Sequence, residues 1–190
     1  MSRPMKKTAS LISISLLAVG LAVAQKVRTD YDRSLDFQQF KTYAWMEDIK
    51  LPMPALLDAR ELDGWVRSAV EEQLESRGLQ IVDAGQADLL ATYFTYVRSN
   101  LENQEADVQS RARLPYGHWR PFAETAPDSR LHTEGVLIVD LVNAQNKTLV
   151  WRGEISDALK DPGNAEKIRK KIEKAAPKLF KKFPRRPAKM

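Results

Sequence analysis

Apolar positions in this chain change period from one block to the next. Between Leu11 and Val23 they are nearly continuous, broken only by small residues and two serines. Val27 to Tyr31 alternates, as a first strand would, and Thr42–Trp45 puts Tyr43 and Trp45 on one side of a second. Pro52 and Pro54 then interrupt any regular element. Ala59, Leu62, Val66, Ala69, Val70 and Leu74 recur at helical spacing, which predicts a helix over about residues 59–77. Asp58 with Glu61 fits a capping box, Leu57 and Leu62 fit a hydrophobic staple, and Gly78 suits a left-handed C-terminal cap.

Leu79–Val82 reads as a short strand. In Asp88–Arg98, Leu89, Ala91, Tyr93 and Val97 share one face and Leu90, Phe94 and Tyr96 the other, so this strand is expected to be covered on both sides. Residues 99–132 are polar and carry Pro115, Pro121 and Pro127, which predicts a long loop. Two strong strands follow at Thr133–Val142 and Thr148–Ser156, joined by a hairpin loop through Asn143–Lys147. Gly153 lies between Trp151 and Ile155 on one side, where a missing side chain would let another element approach. Asp161 and Pro162 are expected to open a last helix with Ala165, Ile168, Ile172, Ala175 or Ala176, and Leu179 as its apolar stripe. Pro177 is expected to kink or restart it. The order β-β-α-β-β-loop-β-β-α predicts a single α+β domain over residues 25–183, a mainly antiparallel sheet with two helices packed on one face. Residues 184–190 are expected to be a basic, disordered tail.

The first block changes the picture of where such a domain works. Arg3, Lys6 and Lys7 precede the apolar run, and Ala22 and Ala24 stand at positions −3 and −1 of a cut before Gln25. Residues 1–24 therefore read as a signal peptide, and the mature chain is expected in the periplasm or outside the cell, without a transmembrane segment. An uncleaved inner-membrane anchor is the alternative, disfavoured because a span needs about 20 apolar residues. The chain has no cysteine, which excludes disulfides, thiolate metal sites and a lipid-bearing cysteine.

Charge is divided unevenly. The chain carries +5, of which residues 1–24 supply three positive charges, leaving +2. Residues 160–190 hold twelve Lys/Arg against three Asp/Glu, a net +9, so residues 25–159 sum to 2 − 9, about −7. The basic character belongs to the ends, and nucleic acid is not an expected partner. Lys170, Lys171, Lys174, Lys178, Lys181 and Lys182, with Arg185 and Arg186 in reach, form a candidate basic surface for anionic lipid or polymer; solubility alone is the competing reading.

Candidate chemistry is sparse. No G-x-S-x-G elbow, P-loop or dinucleotide fingerprint is present. Asp30 and Asp32 could present paired carboxylates or end a solvated strand. His118 and His132 lack a zinc-type spacing. Asp140, on the face of Val136 and Ile138, is expected to pair with Arg152 across strands, as a structural ion pair rather than an active-site acid. Tyr116, His118, Trp119 and Arg120 are the candidate contact residues of the long loop. No catalytic residue, metal or cofactor is assigned.

Several segments together resemble the domain of unknown function 4136 family of exported bacterial envelope proteins. They are Asp30–Asp32, Phe37 through Trp45, Leu74 through Gly78, Ala87–Leu90, Glu134–Leu141, Leu149–Gly153 and Leu179–Pro184. The resemblance implies an exported α+β domain and carries over no catalytic residue. Many relatives are lipoproteins, and this chain departs from them at Gln25. Taken together, the readings favour a non-enzymatic binding or scaffolding domain with an envelope partner: protein, lipid or polymer. A hydrolase or metal-dependent enzyme using the acids or histidines, and a protein held to an anionic surface by its basic end, are the alternatives.

Overall fold

A computed structural model describes residues 25–46, 58–99, 133–161 and 163–184. The elements follow the expected order: β1 (Lys26–Tyr31), β2 (Thr42–Trp45), α1 (Ala59–Glu75), β3 (Gln80–Ile81), β4 (Leu89–Ser99), β5 (Thr133–Asn143), β6 (Leu149–Ala158) and α2 (Ala165–Leu179). The six strands form one sheet in the order β1-β6-β5-β4-β2-β3.

The sheet is mixed, which corrects the expectation of a mainly antiparallel one. β1–β6, β6–β5 and β5–β4 are antiparallel, but β2 runs parallel to both β3 and β4. The cause is α1. A helix between two neighbouring strands returns the chain to the end of the sheet where it started, so β2 and β3 must run the same way. β4 then takes the other side of β2, where Asp88 fastens it. The Asp88 carboxylate accepts hydrogen bonds from the backbone N–H groups of Lys41 and Thr42, at 2.7 and 3.0 Å, and the Thr42 hydroxyl accepts from the Asp88 N–H at 3.0 Å.

Both helices lie on one face, as expected. Leu62, Val66, Val70 and Leu74 of α1 and Ile172, Ala176 and Leu179 of α2 share one core with Tyr43, Leu89, Leu141, Trp151 and Ile155 of the sheet. α1 starts where Asp58 accepts from the N–H groups of Arg60 and Glu61, and the chain leaves it through Gly78, at φ 81°. Leu57, the other half of the expected staple, falls outside the described residues. β4 is packed on both sides: Leu89, Ala91 and Tyr93 face the helices, while Leu90 and Phe94 join Ala44, Val142 and Leu149 on the opposite face.

α2 differs from its reading twice. Its N-cap is Asn164, whose side chain accepts from the Lys167 N–H, rather than Asp161, which instead pairs with the Lys167 side chain. Pro177 sits inside the helix, which runs on to Leu179. Pro177 and Glu173 both face solvent, so the carbonyl that loses its partner lies on the exposed side of the helix, and the buried stripe of Ala176 and Leu179 holds the last turn to the sheet. Leu179 packs over Gly153, where an added Cβ would lie 2.7 Å from Leu179 Cγ and 2.6 Å from the Trp151 ring. Phe180 stacks on Trp151 at 4.7 Å, and Phe183 closes edge-on against Trp151 and Phe37. The terminal Leu179–Pro184 segment thus anchors α2 in the core.

A candidate apolar ligand site

A cavity of about 110 Å³ opens between the two helices and the sheet, where Thr95–Val97, Gly135–Leu137 and Ile155 of β4, β5 and β6 pass beneath α2. Leu62, Leu137, Ile155, Ile168, Ile172 and Ala175 make its walls. Gly135 contributes space. A Cβ there would meet only Leu159, at an ordinary 3.6 Å, so the missing side chain leaves room that a larger residue would fill.

The rim is polar. Lys171, half-buried, donates to Asp157 Oδ2 at 2.9 Å and to the Ala158 carbonyl at 2.5 Å. Gln25 donates its side-chain N–H to the same Asp157 oxygen at 3.2 Å and accepts from Lys178 Nζ at 2.5 Å. An apolar interior below a few fixed polar groups is the usual composition of a small-molecule site. Sequence reading missed it because its walls come from five elements. Periodicity shows that Leu62, Ile155 and Ile172 face inward, not that they leave a gap. The one legible signal was Gly135, a glycine on the helix-facing side of a strand.

The acids singled out earlier are placed apart from this cavity. Asp140 and Arg152 stand opposite each other on the far face of the sheet, fully and almost fully buried, and Arg152 Nε donates to Asp140 Oδ1 at 2.6 Å. Asp30 lies opposite Arg152 on the other flank, in register, and accepts from the Tyr31 N–H. Asp32 turns away to accept from the Ser34 hydroxyl and N–H, contacts that hold its carboxyl below the usual range. Asp30 and Asp32 therefore each have their own local partner. Among the described residues no three His, Asp or Glu side chains gather closely enough to hold a metal ion. Tyr116, His118, Trp119, Arg120 and His132 lie outside the described residues.

The basic surface on α2 is more balanced than its sequence reads. Lys170 pairs with Glu166, Lys167 with Asp161 and Lys171 with Asp157, while Arg169 lies between Glu166 and Glu173. Lys174, Lys181 and Lys182 are exposed and make no ion pair among the described residues.

A second polar cluster, unread in the sequence, joins α1 to β2 and β4. Trp45 donates its indole N–H to Glu71 at 2.7 Å, Arg67 lies 4.7 Å over the Trp45 ring, and both Arg67 and Tyr93 donate to Asp63. Burial, then the Asp63 carboxylate, pushes the Tyr93 phenol well above its ordinary range, so it stays a donor. Each described group in this cluster satisfies another, which makes it a brace for α1.

This single α+β domain, with a mixed six-stranded sheet and two helices on one face, belongs to the DUF4136 family, a domain of unknown function whose sequence profile matches residues 27–185. It is similar in fold to a DUF4136 family protein from Bacteroides thetaiotaomicron, at TM-score 0.55 and 21% identity over 83% of this chain and 94% of that one. It is also similar to a PDZ domain protein from Parabacteroides distasonis, at TM-score 0.54 and 17% identity over 86% of this chain. There it spans only 37% of the other chain's length. At these identities the likeness is one of fold. No curated protein matches the sequence.

Proposed function

We propose that this chain is an exported envelope protein whose mature domain works by binding a small apolar ligand in the cavity between its helices and sheet. The observation that carries the reading is the cavity itself, apolar within and ringed by Gln25, Asp157 and Lys171. The described acids that could have served catalysis are occupied in structural contacts on the other face or at strand ends. The apolar run before Ala24 supports export, and a cut there would make Gln25, a rim residue, the first residue of the mature chain. No described helix is long and apolar enough to cross a membrane.

Cell fractionation with N-terminal sequencing tests the export part: periplasmic protein starting at Gln25 is expected, and membrane-bound protein starting at Met1 would refute it. Native mass spectrometry of protein isolated without denaturant tests the binding part. A bound small molecule is expected, and it should be lost when Ala175→Leu fills the cavity.

A second reading, contact with an anionic surface, draws on Lys174, Lys181 and Lys182, which make no ion pair among the described residues. Its mark would be sedimentation with anionic but not neutral vesicles, falling steeply as salt rises.

A further inference from the structure

We propose that the cavity takes the short hydrocarbon end of an anionic amphiphile, whose charged head rests at Lys171 and Lys178. The inference rests on the binding reading above and adds the chemical class of the ligand.

Size sets the apolar part. A cavity of about 150 Å³ lined by aliphatic side chains stays dry and accepts a six-carbon ring. At about 110 Å³, this one scales to four or five carbons. A long acyl chain would overfill it, and water would find few partners among Leu62, Leu137, Ile155 and Ile172.

The rim sets the head group. A lysine ammonium has three N–H donors. Among the described residues Lys171 spends two, on Asp157 and the Ala158 carbonyl, and Lys178 spends one, on Gln25. Asp157 is the one acid among the described lining residues, and its Oδ2 already accepts from both Lys171 and Gln25. Among the described residues the lining itself carries Lys171 against Asp157, and Lys178, held to the rim residue Gln25, adds a second cation just outside it, so the mouth is net positive with spare donors beside an apolar hole. That arrangement complements a carboxylate or phosphate joined to a short chain and disfavours an ammonium on the same chain.

Isothermal titration of the purified protein with butanoate, hexanoate, octanoate, hexyl phosphate, hexanol and hexylammonium tests this. Affinity should rise about fourfold for each methylene that enters the cavity and level off once four or five carbons are buried. Hexylammonium should bind about tenfold more weakly than hexanoate, the loss expected when charge-assisted hydrogen bonds give way to repulsion. Comparing hexanoate with hexyl phosphate tells which anion is preferred. Ala175→Leu should abolish hexanoate binding with the fold intact by circular dichroism, and Gly135→Val serves if the first variant does not fold. Equal binding of hexanoate, hexanol and hexylammonium would overturn the anionic assignment while leaving an apolar site standing. No binding of any of the six compounds would overturn the cavity reading as well. Undiminished binding in both filled variants would place the site elsewhere.

Discussion

Asp140 on β5 and Arg152 on β6 stand opposite each other on neighbouring strands and close a two-point ion pair, Nε to Oδ1 and a terminal guanidinium N–H to Oδ2, with both side chains buried. In a dry setting such a pair only offsets the desolvation of its own charges, and removing one partner leaves the other's buried charge undercompensated. Asp140→Ala is therefore expected to cost about 3–5 kcal/mol in urea denaturation. The cavity lies across the sheet from this pair, so hexanoate affinity should change little in any Asp140→Ala protein that stays folded. Loss of affinity with full stability would make the pair part of the site.

Leu179 of α2 packs so closely over Gly153 of β6 that an added Cβ would lie 2.7 Å from it. The Leu179 side chain and the Trp151 ring occupy the place a methyl would take, so one of them must shift to admit it. Gly153→Ala should cost about 1–3 kcal/mol, the usual penalty of overpacking. Thermal unfolding measures it, and an unchanged Tm would mean that α2 docks less closely than described.

Asp88 gives the fold an acid-sensitive clasp. Burial pushes its carboxyl upward, but the N–H groups of Lys41 and Thr42, the Thr42 hydroxyl and the Lys41 charge outweigh that and hold it below the ordinary range. A carboxyl lowered on folding binds protons less readily in the native state than in the unfolded one. Its contribution is thus present above the ordinary aspartate value of about 3.9 and fades as pH falls through the lower native value. Partial exposure keeps the effect modest: Asp88→Ala should cost about 1–2 kcal/mol near neutral pH. The gap between wild type and variant should narrow below about pH 4 in urea titrations; a gap constant to pH 2.5, roughly a unit beyond that value, would remove Asp88 from this role.

Much of the fold was legible because most elements announce themselves locally. The stripe from Leu62 to Leu74 and the cap at Asp58 placed α1, and alternation placed Tyr43 and Trp45 in the core. Asp140 and Arg152 could be paired because an acid on a buried face needs an opposite charge on the neighbouring strand, whereas the register shift between Leu141 and Val142 that sets them opposite each other was not legible. Strand direction was another matter. Nothing within Gln80–Ile81 or Leu89–Ser99 says that β2 will insert between β3 and β4, since that follows from how α1 packs. The start of α2 was misplaced because Asp161 and Asn164 are both good caps, and only the Asn164 contact with the Lys167 N–H decides between them. The cavity was illegible for the same reason as the strand order. Packing leaves it, and no run of residues encodes it.

Whether ligand enters between α2 and the sheet is tested most directly by isoleucine methyl NMR. Ile155, Ile168 and Ile172 line the cavity, Ile138 is buried on the opposite face, and Ile81 is half exposed on the edge strand. On titration with hexanoate the methyls of Ile155, Ile168 and Ile172 should shift together and saturate, while Ile138 and Ile81 stay in place. Shifts at Ile81 or Ile138 with the three cavity methyls unmoved would contradict the account.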